Sequence, residues 1–165
     1  MVGARENDLS DLLVRLYDLP TVESEARVKA AGVEIRRALP PERHLVLDWV
    51  LSHFSPHWAS EVAVGLSQLP PTVYLAVSEG RLLGFACYDT TAKGFFGPTG
   101  VDEAARGKGI GEALLLATLR AMREAGYGYG VIGDPGPVAF YKKRLDALEI
   151  PNSKPGVYRG MLRNP

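Results

Sequence analysis

The sequence predicts an α/β (α+β) fold in which helices flank a mixed β-sheet. Three consecutive strand-like segments lie between residues 72 and 101, and a long helical segment, a strand and a second helix follow them. A doubly wound parallel sheet would instead alternate strands and helices strictly along the chain. The 46% hydrophobic and 23% charged residues are ordinary for a globular domain.

The N-terminal part of the chain predicts one strand and one helix. The segment NDLSDLLVRLYDLP has leucines at helical spacing, but Leu12, Val14 and Leu16 also alternate, and its short length favours a strand. The segment TVESEARVKAAG is typical of a helix that starts with a capping residue and ends at a glycine. We interpret residues 1–32 as an extension packed on the same domain, and residues 33–165 as the main domain.

The middle of the chain predicts a strand, two helices and then three strands. VEIRRAL is strand-like, and PPERHLVLDWVLSHF and HWASEVAVGLSQL are helical segments separated by a Ser-Pro pair. TVYLAVSEGRLLGFACYDTTAKGFFGPTGV predicts three strands, with a tight turn at Glu79-Gly80.

The C-terminal part begins with a glycine-rich loop. ARGKGIGEALLLATLRAM, residues 105–122, joins this loop directly to a helix that we expect to end at Gly126. YGYGVIG predicts a further strand, and PVAFYKKRLDA a further helix. LEIPNSKPGVYRGML predicts a terminal pair of short strands around a Pro/Gly turn.

Charge and cysteine content limit the classes of partner and location. The 19 basic and 19 acidic residues cancel, so we expect no nucleic-acid partner and no membrane surface. No apolar run is long enough to cross a bilayer. Cys87 is the only cysteine, which favours a cytoplasmic protein, and its strand-like surroundings predict a buried, inert thiol.

The glycine loop is suited to bind a phosphate group. Glycines ahead of a helix start let an anion approach the free N–H groups, and Arg106 and Lys108 add positive charge there. A P-loop requires Ser or Thr after its lysine, but Gly109 follows Lys108. A dinucleotide fingerprint that starts at Gly107 requires a third glycine where Glu112 stands. Both of these common phosphate motifs are therefore excluded by spacing.

The remaining pattern, Arg-x-x-Gly-x-Gly from Arg106 to Gly111, resembles the coenzyme A pyrophosphate loop of the GNAT superfamily of N-acetyltransferases. That family accepts Gly or Ala at the last position. Val101, five residues before the arginine, and Tyr141 in AFYKK match the family's context. The resemblance implies a GNAT-like mixed, mostly antiparallel twisted sheet with an extra N-terminal strand and helix. It also implies acetyl-CoA as cosubstrate, without a metal, bound by Val101, Arg106, Gly107, Lys108, Gly109, Ile110, Gly111 and Asp134.

Three positions depart from the family pattern. Glu103 stands where a proline is common, Asp134 stands where an asparagine often follows the last long strand, and RLDA replaces a common Leu-Gly-Phe helix ending. The first two differences affect details of the expected hydrogen bonds to the cofactor.

The resemblance also implies a reaction. Acetyl-CoA would lie between the two parallel strands that end at Val101 and Gly133, with a main-chain N–H of Val101 polarising the thioester carbonyl. A primary amine would attack this carbonyl directly, and Tyr141 would hydrogen-bond the departing thiolate. A base must take a proton from the amine, and the strand GFFGPTGV offers no carboxylate.

The residues leave several points open. Glu61, His57 and Asp134 are all candidates for the base, and Glu61 is the one we name as catalytic. The expected acceptor is a small-molecule or peptide amine. Whether the protein forms a homodimer is not decided by the sequence. We interpret the three histidines as structural or surface residues rather than as metal ligands. A non-catalytic acyl-CoA-binding module or regulator is the alternative to an N-acetyltransferase.

Overall fold

The computed structural model describes residues 10–21 and 23–165. Within this part of the chain, the strands are β1 Leu12–Arg15, β2 Glu34–Arg37, β3 Val73–Ser78, β4 Arg81–Tyr88, β5 Phe95–Val101, β6 Tyr129–Ile132 and β7 Leu148–Glu149. The helices are α1 Glu23–Ala30, α2 Arg43–His53, α3 Pro56–Leu66, α4 Ile110–Glu124 and α5 Val138–Leu145. The predicted opening strand begins before residue 10, and that part of it lies outside the described residues.

The seven strands form one sheet in the order β2-β3-β4-β5-β6-β1-β7. Strands β5 and β6 run parallel, and the other neighbouring pairs are antiparallel. Parallel neighbours require a crossover connection, and α4 provides it. The predicted mixed, mostly antiparallel sheet flanked by helices is therefore confirmed.

Strand β1 is an interior strand of this sheet. It pairs with β6 on one side and with β7 on the other. The side chains of Leu12, Val14 and Leu16 are fully buried in the same core as α4. The alternation of these three residues therefore predicted a strand correctly. Its position inside the sheet follows from the pairing with β6 and β7 and was not visible in the sequence.

Alternating side chains of β4 fill two cores, one on each face of the sheet. Phe85 and Cys87 pack with α2 and α3, whereas Ala86 and Tyr88 belong to the core that contains α4. Cys87 is 0% exposed, and burial raises the pKa of its thiol well above the usual range. The prediction of a buried thiol is confirmed.

The predicted terminal pair of strands is wrong. Only Leu148–Glu149 forms a strand, and it pairs with β1 rather than with a later segment. The chain then continues along Asp11: the Ile150 N–H donates to the Asp11 carbonyl (2.8 Å), and the Asp11 N–H donates to Ser153 Oγ (2.7 Å). These contacts bond the segment after β7 to the residue that precedes β1.

Candidate active site

The glycine loop meets α4 in a backbone conformation that favours glycine. Gly107 and Gly109 have φ values of +81° and +83°, which side chains other than glycine rarely adopt. Gly109 is the N-cap of α4 and brings no side-chain cap. The first N–H groups of the helix and its positive dipole end are therefore suited to an anion.

A cavity of about 800 Å³ lies between β5 and β6 and reaches this helix start. The two strands pair only at Phe95 and Phe96, after which β5 continues to Val101 while β6 ends at Ile132. The strands are therefore parallel, as the resemblance implied, and the cavity lies beside the unpaired part of β5. Its volume is within the range of cofactor-binding sites.

The main chain of Val101 faces this cavity. The Asp102 N–H donates to the Leu83 carbonyl on β4 (2.8 Å), so the polar groups of the preceding residue point to the opposite edge of β5. The Val101 carbonyl accepts a hydrogen bond from Arg106 Nε (3.2 Å) on that side. The Val101 N–H thus points to the unpaired edge of β5, where it can donate a hydrogen bond to a carbonyl oxygen.

The lining of this cavity includes seven of the eight residues predicted to bind the cofactor. Lys108 is the exception: it is exposed and is not among the lining residues. Since Arg106 is also exposed, its guanidinium can move from the Val101 carbonyl to a phosphate. The lining residues from the predicted set are Val101, Arg106, Gly107, Gly109, Ile110, Gly111 and Asp134.

A second arginine lies beside the helix start, and sequence reasoning missed it. Arg144 of α5 donates to the carboxylate of Glu112, from Nε at 2.6 Å and also from a terminal nitrogen. Glu112 lines the cavity in the first turn of α4. The ion pair offsets the negative charge of Glu112 where an anion would bind. Its partners are 32 residues apart, so no local pattern could have indicated it.

Tyr141 lies in the wall of the same cavity. It belongs to α5 and is 7% exposed. Burial raises the pKa of its phenol. The hydroxyl group therefore stays protonated and can donate a hydrogen bond to a developing thiolate.

The structure brings the three candidate bases to a second cavity, of about 330 Å³. Glu61, His57 and Asp134 all line it, and Glu61 and Asp134 also line the first cavity. Glu61 accepts a hydrogen bond from Thr91 Oγ1 (2.5 Å). Among the described contacts of the three candidates, this is the one side-chain hydrogen bond to a candidate base, and it holds the Glu61 carboxylate in place.

Asp11 and Tyr158 are lining residues that sequence reasoning missed. Asp11 lines the second cavity, and Tyr158 lines both. Burial raises the pKa of the Asp11 carboxyl, partly opposed by a hydrogen bond from the main chain of Asp134. The pKa of Tyr158 is raised by burial and by the charge of Glu61. These residues come from opposite ends of the chain, so no sequence signal joined them.

An aromatic wall closes the first cavity near β5. Phe54 and Trp58 stack with ring centroids 4.8 Å apart and line the cavity. A Cβ at Gly100 would lie 2.3 Å from the Phe54 ring, so glycine is required there for the ring to lie on the strand. This wall gives the first cavity an apolar border beside β5.

The described residues hold neither a metal-binding cluster nor a membrane-spanning helix. No group of three or more His, Cys, Asp or Glu side chains in residues 10–21 and 23–165 has an arrangement that could hold a metal ion. In the same part of the chain, no helix has the length and apolar character needed to cross a membrane.

In its fold and its site, the protein is of the acetyltransferase class. The glucosamine N-acetyltransferase region of a fungal multi-domain GH3 β-N-acetylglucosaminidase is similar, with a TM-score of 0.72 and 16% identity over 86% of this chain and 20% of that one. A GCN5-related N-acetyltransferase from Sphaerobacter thermophilus has a TM-score of 0.57 and 20% identity over 91% and 45%. A GNAT family acetyltransferase from Brucella melitensis, solved with acetyl-CoA, has a TM-score of 0.53 and 22% identity over 67% and 80%.

These likenesses establish the fold. The chain spans less than half the length of the first two of these proteins. No curated protein matches it in sequence. A model of the acetyltransferase (GNAT) family, however, matches residues 33–146, which is most of the chain. The protein therefore belongs to the GNAT acetyltransferase family.

Proposed function

We propose that this protein is an acetyl-CoA-dependent N-acetyltransferase that moves an acetyl group to a primary amine by direct attack in a ternary complex. The observation that supports this most is that the uncapped start of α4, Val101 and Tyr141 line one cavity. The similar protein from Brucella melitensis was solved with acetyl-CoA, which supports the same cosubstrate for this chain.

In this proposal the cavity binds acetyl-CoA along its length. The pyrophosphate lies at the start of α4, where helix N–H groups and Arg106 meet its negative charge. The pantetheine arm follows the unpaired edge of β5. The thioester carbonyl then accepts a hydrogen bond from the Val101 N–H, which becomes stronger as negative charge develops on the oxygen.

The reaction joins the amine nitrogen to the acetyl carbon and breaks the carbon–sulfur bond. Coenzyme A leaves as a thiolate, and the Tyr141 hydroxyl donates a hydrogen bond to that sulfur. The amine arrives as an ammonium ion and gives one proton to Glu61 at the junction of the two cavities before it attacks. The second proton, which the nitrogen loses as the carbon–sulfur bond breaks, goes to the coenzyme A thiolate. Holding both reactants in line lowers the entropic cost of the encounter.

Cofactor binding is tested by calorimetry with acetyl-CoA. Arg106→Glu should lower the affinity at least tenfold (about 1.4 kcal/mol), because it replaces a cation beside the pyrophosphate with an anion. Arg81→Glu is the matched control, since Arg81 is exposed at the start of β4 and lines neither cavity. Equal affinity of Arg106→Glu and wild type would contradict the assignment of the loop.

Turnover is tested by release of the coenzyme A thiol to a thiol reagent. Cys87 is fully buried, so the native protein adds little background. Tyr141→Phe should lower kcat while leaving the Kd for acetyl-CoA unchanged, because only the hydroxyl group is removed. Tyr17→Phe, at an exposed tyrosine outside both cavities, is the control. If Tyr141→Phe has the kcat of the wild type, the Tyr141 hydroxyl takes no part in the reaction and the side chain serves only in packing.

Glu61→Gln tests the base. The variant keeps the shape of the side chain and an oxygen that can accept the Thr91 hydrogen bond, but it cannot accept a proton. We expect kcat to fall and the acidic limb of the pH profile to change. Tight acetyl-CoA binding without turnover of any amine in a broad panel would instead favour a non-catalytic acyl-CoA-binding module.

A further inference from the structure

The second cavity has a wall that the C-terminal segment provides. Pro155, Tyr158 and Met161 line it from one side, and Trp58 of α3 lines it from the other. The hydrogen bonds between Asp11 and the segment at Ile150 and Ser153 attach this wall to the residue that precedes β1. The cavity is therefore a shaped space with aromatic and aliphatic surfaces, and it adjoins the acetyl-CoA cavity at Trp58 and Tyr158.

The polar part of the lining has an excess of negative charge. Three carboxyl groups, those of Asp11, Glu61 and Asp134, line the cavity, whereas Lys154 is the one lysine or arginine in the described lining. Burial raises the pKa of the Tyr158 phenol, and the charges of these three carboxylates raise it further. The Tyr158 ring and the three carboxylates line the same cavity, so one small ligand bound there can contact both.

We propose that this cavity is the acceptor site and that it takes a small primary amine with an apolar body and no acidic group. This inference rests on the proposed function. The amine enters as an ammonium ion, which the carboxylates attract and which the faces of Trp58 and Tyr158 also stabilise. Its apolar body packs against the aromatic wall and Met161. An acidic group on the same molecule would meet the three carboxylates at close range, and this repulsion excludes amino acids.

The volume of the cavity favours a small molecule over a peptide. About 330 Å³ lies at the lower end of the range of ligand pockets. Asp134 and Glu61 line both cavities, so an amine held there is next to the position of the thioester. The acceptor nitrogen therefore points to the first cavity, and its apolar body to the C-terminal wall.

The experiment compares three amines that share one ring: phenethylamine, phenylalanine amide and phenylalanine. Phenylalanine differs from the amide in charge but hardly in size, so this pair separates charge from steric fit. We expect kcat/KM to be at least about tenfold lower for phenylalanine than for its amide, and the amide to be close to phenethylamine. Equal kcat/KM for phenylalanine and its amide would overturn the inference.

The Asp11→Asn variant tests whether the second cavity causes the difference in kcat/KM between phenylalanine and its amide. Asparagine keeps the side-chain oxygen that accepts the Asp134 main-chain hydrogen bond but removes the charge. The difference between phenylalanine and its amide should shrink in this variant. It should stay unchanged in Asp48→Asn, a control at an exposed aspartate of α2. An unchanged difference in Asp11→Asn would mean that the second cavity does not select the acceptor.

A binding measurement separates this inference from the proposed function. Phenethylamine, the amide and phenylalanine are each titrated calorimetrically into protein saturated with coenzyme A, where no reaction occurs. Binding of the first two but not of phenylalanine supports the acceptor class even if turnover is absent and the proposed function fails. Acetylation of other amines without binding of phenethylamine overturns the acceptor class while the proposed function stands.

Discussion

Two glycines of the loop should respond to alanine with opposite signs. Gly109 has a φ of +83° and ends the loop, whereas Gly111 lies in the first turn of α4. A Cβ has room at both positions: the nearest atom is Val28 Cγ1 at 4.0 Å for Gly109 and Val101 Cγ2 at 3.7 Å for Gly111. Backbone conformation therefore decides the effect of each substitution, and steric overlap does not.

The expected magnitudes follow from this difference. Alanine at position 109 must adopt the left-handed conformation, which costs about 1–2 kcal/mol of the free energy of unfolding. Alanine at position 111 replaces a helical glycine and should add about 0.5–1 kcal/mol. For a chain of this length, each kcal/mol corresponds to about 2–4 °C in Tm. Gly109→Ala should thus lower Tm by several degrees, and Gly111→Ala should raise it slightly.

The assay is thermal unfolding of both variants with and without acetyl-CoA. Gly111→Ala should keep its affinity within a few-fold, because the family pattern accepts alanine there. Gly109→Ala should also bind more weakly, because its Cβ stands where glycine lets an anion approach the helix start. If Gly111→Ala lowers Tm as much as Gly109→Ala does, the backbone conformation at these glycines does not determine the effect of alanine on stability. This result would refute the reasoning.

Two further predictions concern stability. Leu12→Ala should cost about 2–5 kcal/mol of the free energy of unfolding in urea titrations, since Leu12 is fully buried in β1; a cost below 1 kcal/mol would mean that β1 packs loosely. Glu42→Gln should cost about 1 kcal/mol at pH 7, because Arg36 donates to Glu42 (2.6 Å) and lowers its pKa. The stabilisation by Glu42 exists above the unfolded pKa and is lost as pH falls through the folded pKa, so the cost of Glu42→Gln should vanish in acid. A cost that is the same at pH 7 and pH 3 would contradict this assignment.

Local patterns predicted the elements that depend on neighbouring residues. The turn at Glu79-Gly80 follows from residue types, and both residues have positive φ. The three strands between Val73 and Val101 and the helix that begins at Ile110 were likewise predicted. The prediction of a terminal pair of strands was wrong because β7 pairs with β1, which lies more than 130 residues earlier in the chain. No pattern within a short window contains that information.

The sequence by itself determined the class of the fold and the order of most of its elements, and it predicted a loop suited to bind an anion. Glycine conformations, charge and hydrophobic periodicity are properties of residues close in the chain, so they are visible without a structure. The tertiary structure alone decided that Asp11, Glu61, Asp134 and Tyr158 line one cavity. Asp11, Asp134 and Tyr158 meet because β1 lies beside β6 and the C-terminal segment is bonded to Asp11, which precedes β1. Helix α3 brings Glu61 to the same cavity. Sheet order and packing over the whole chain determine such a contact, and no spacing between neighbouring residues encodes it.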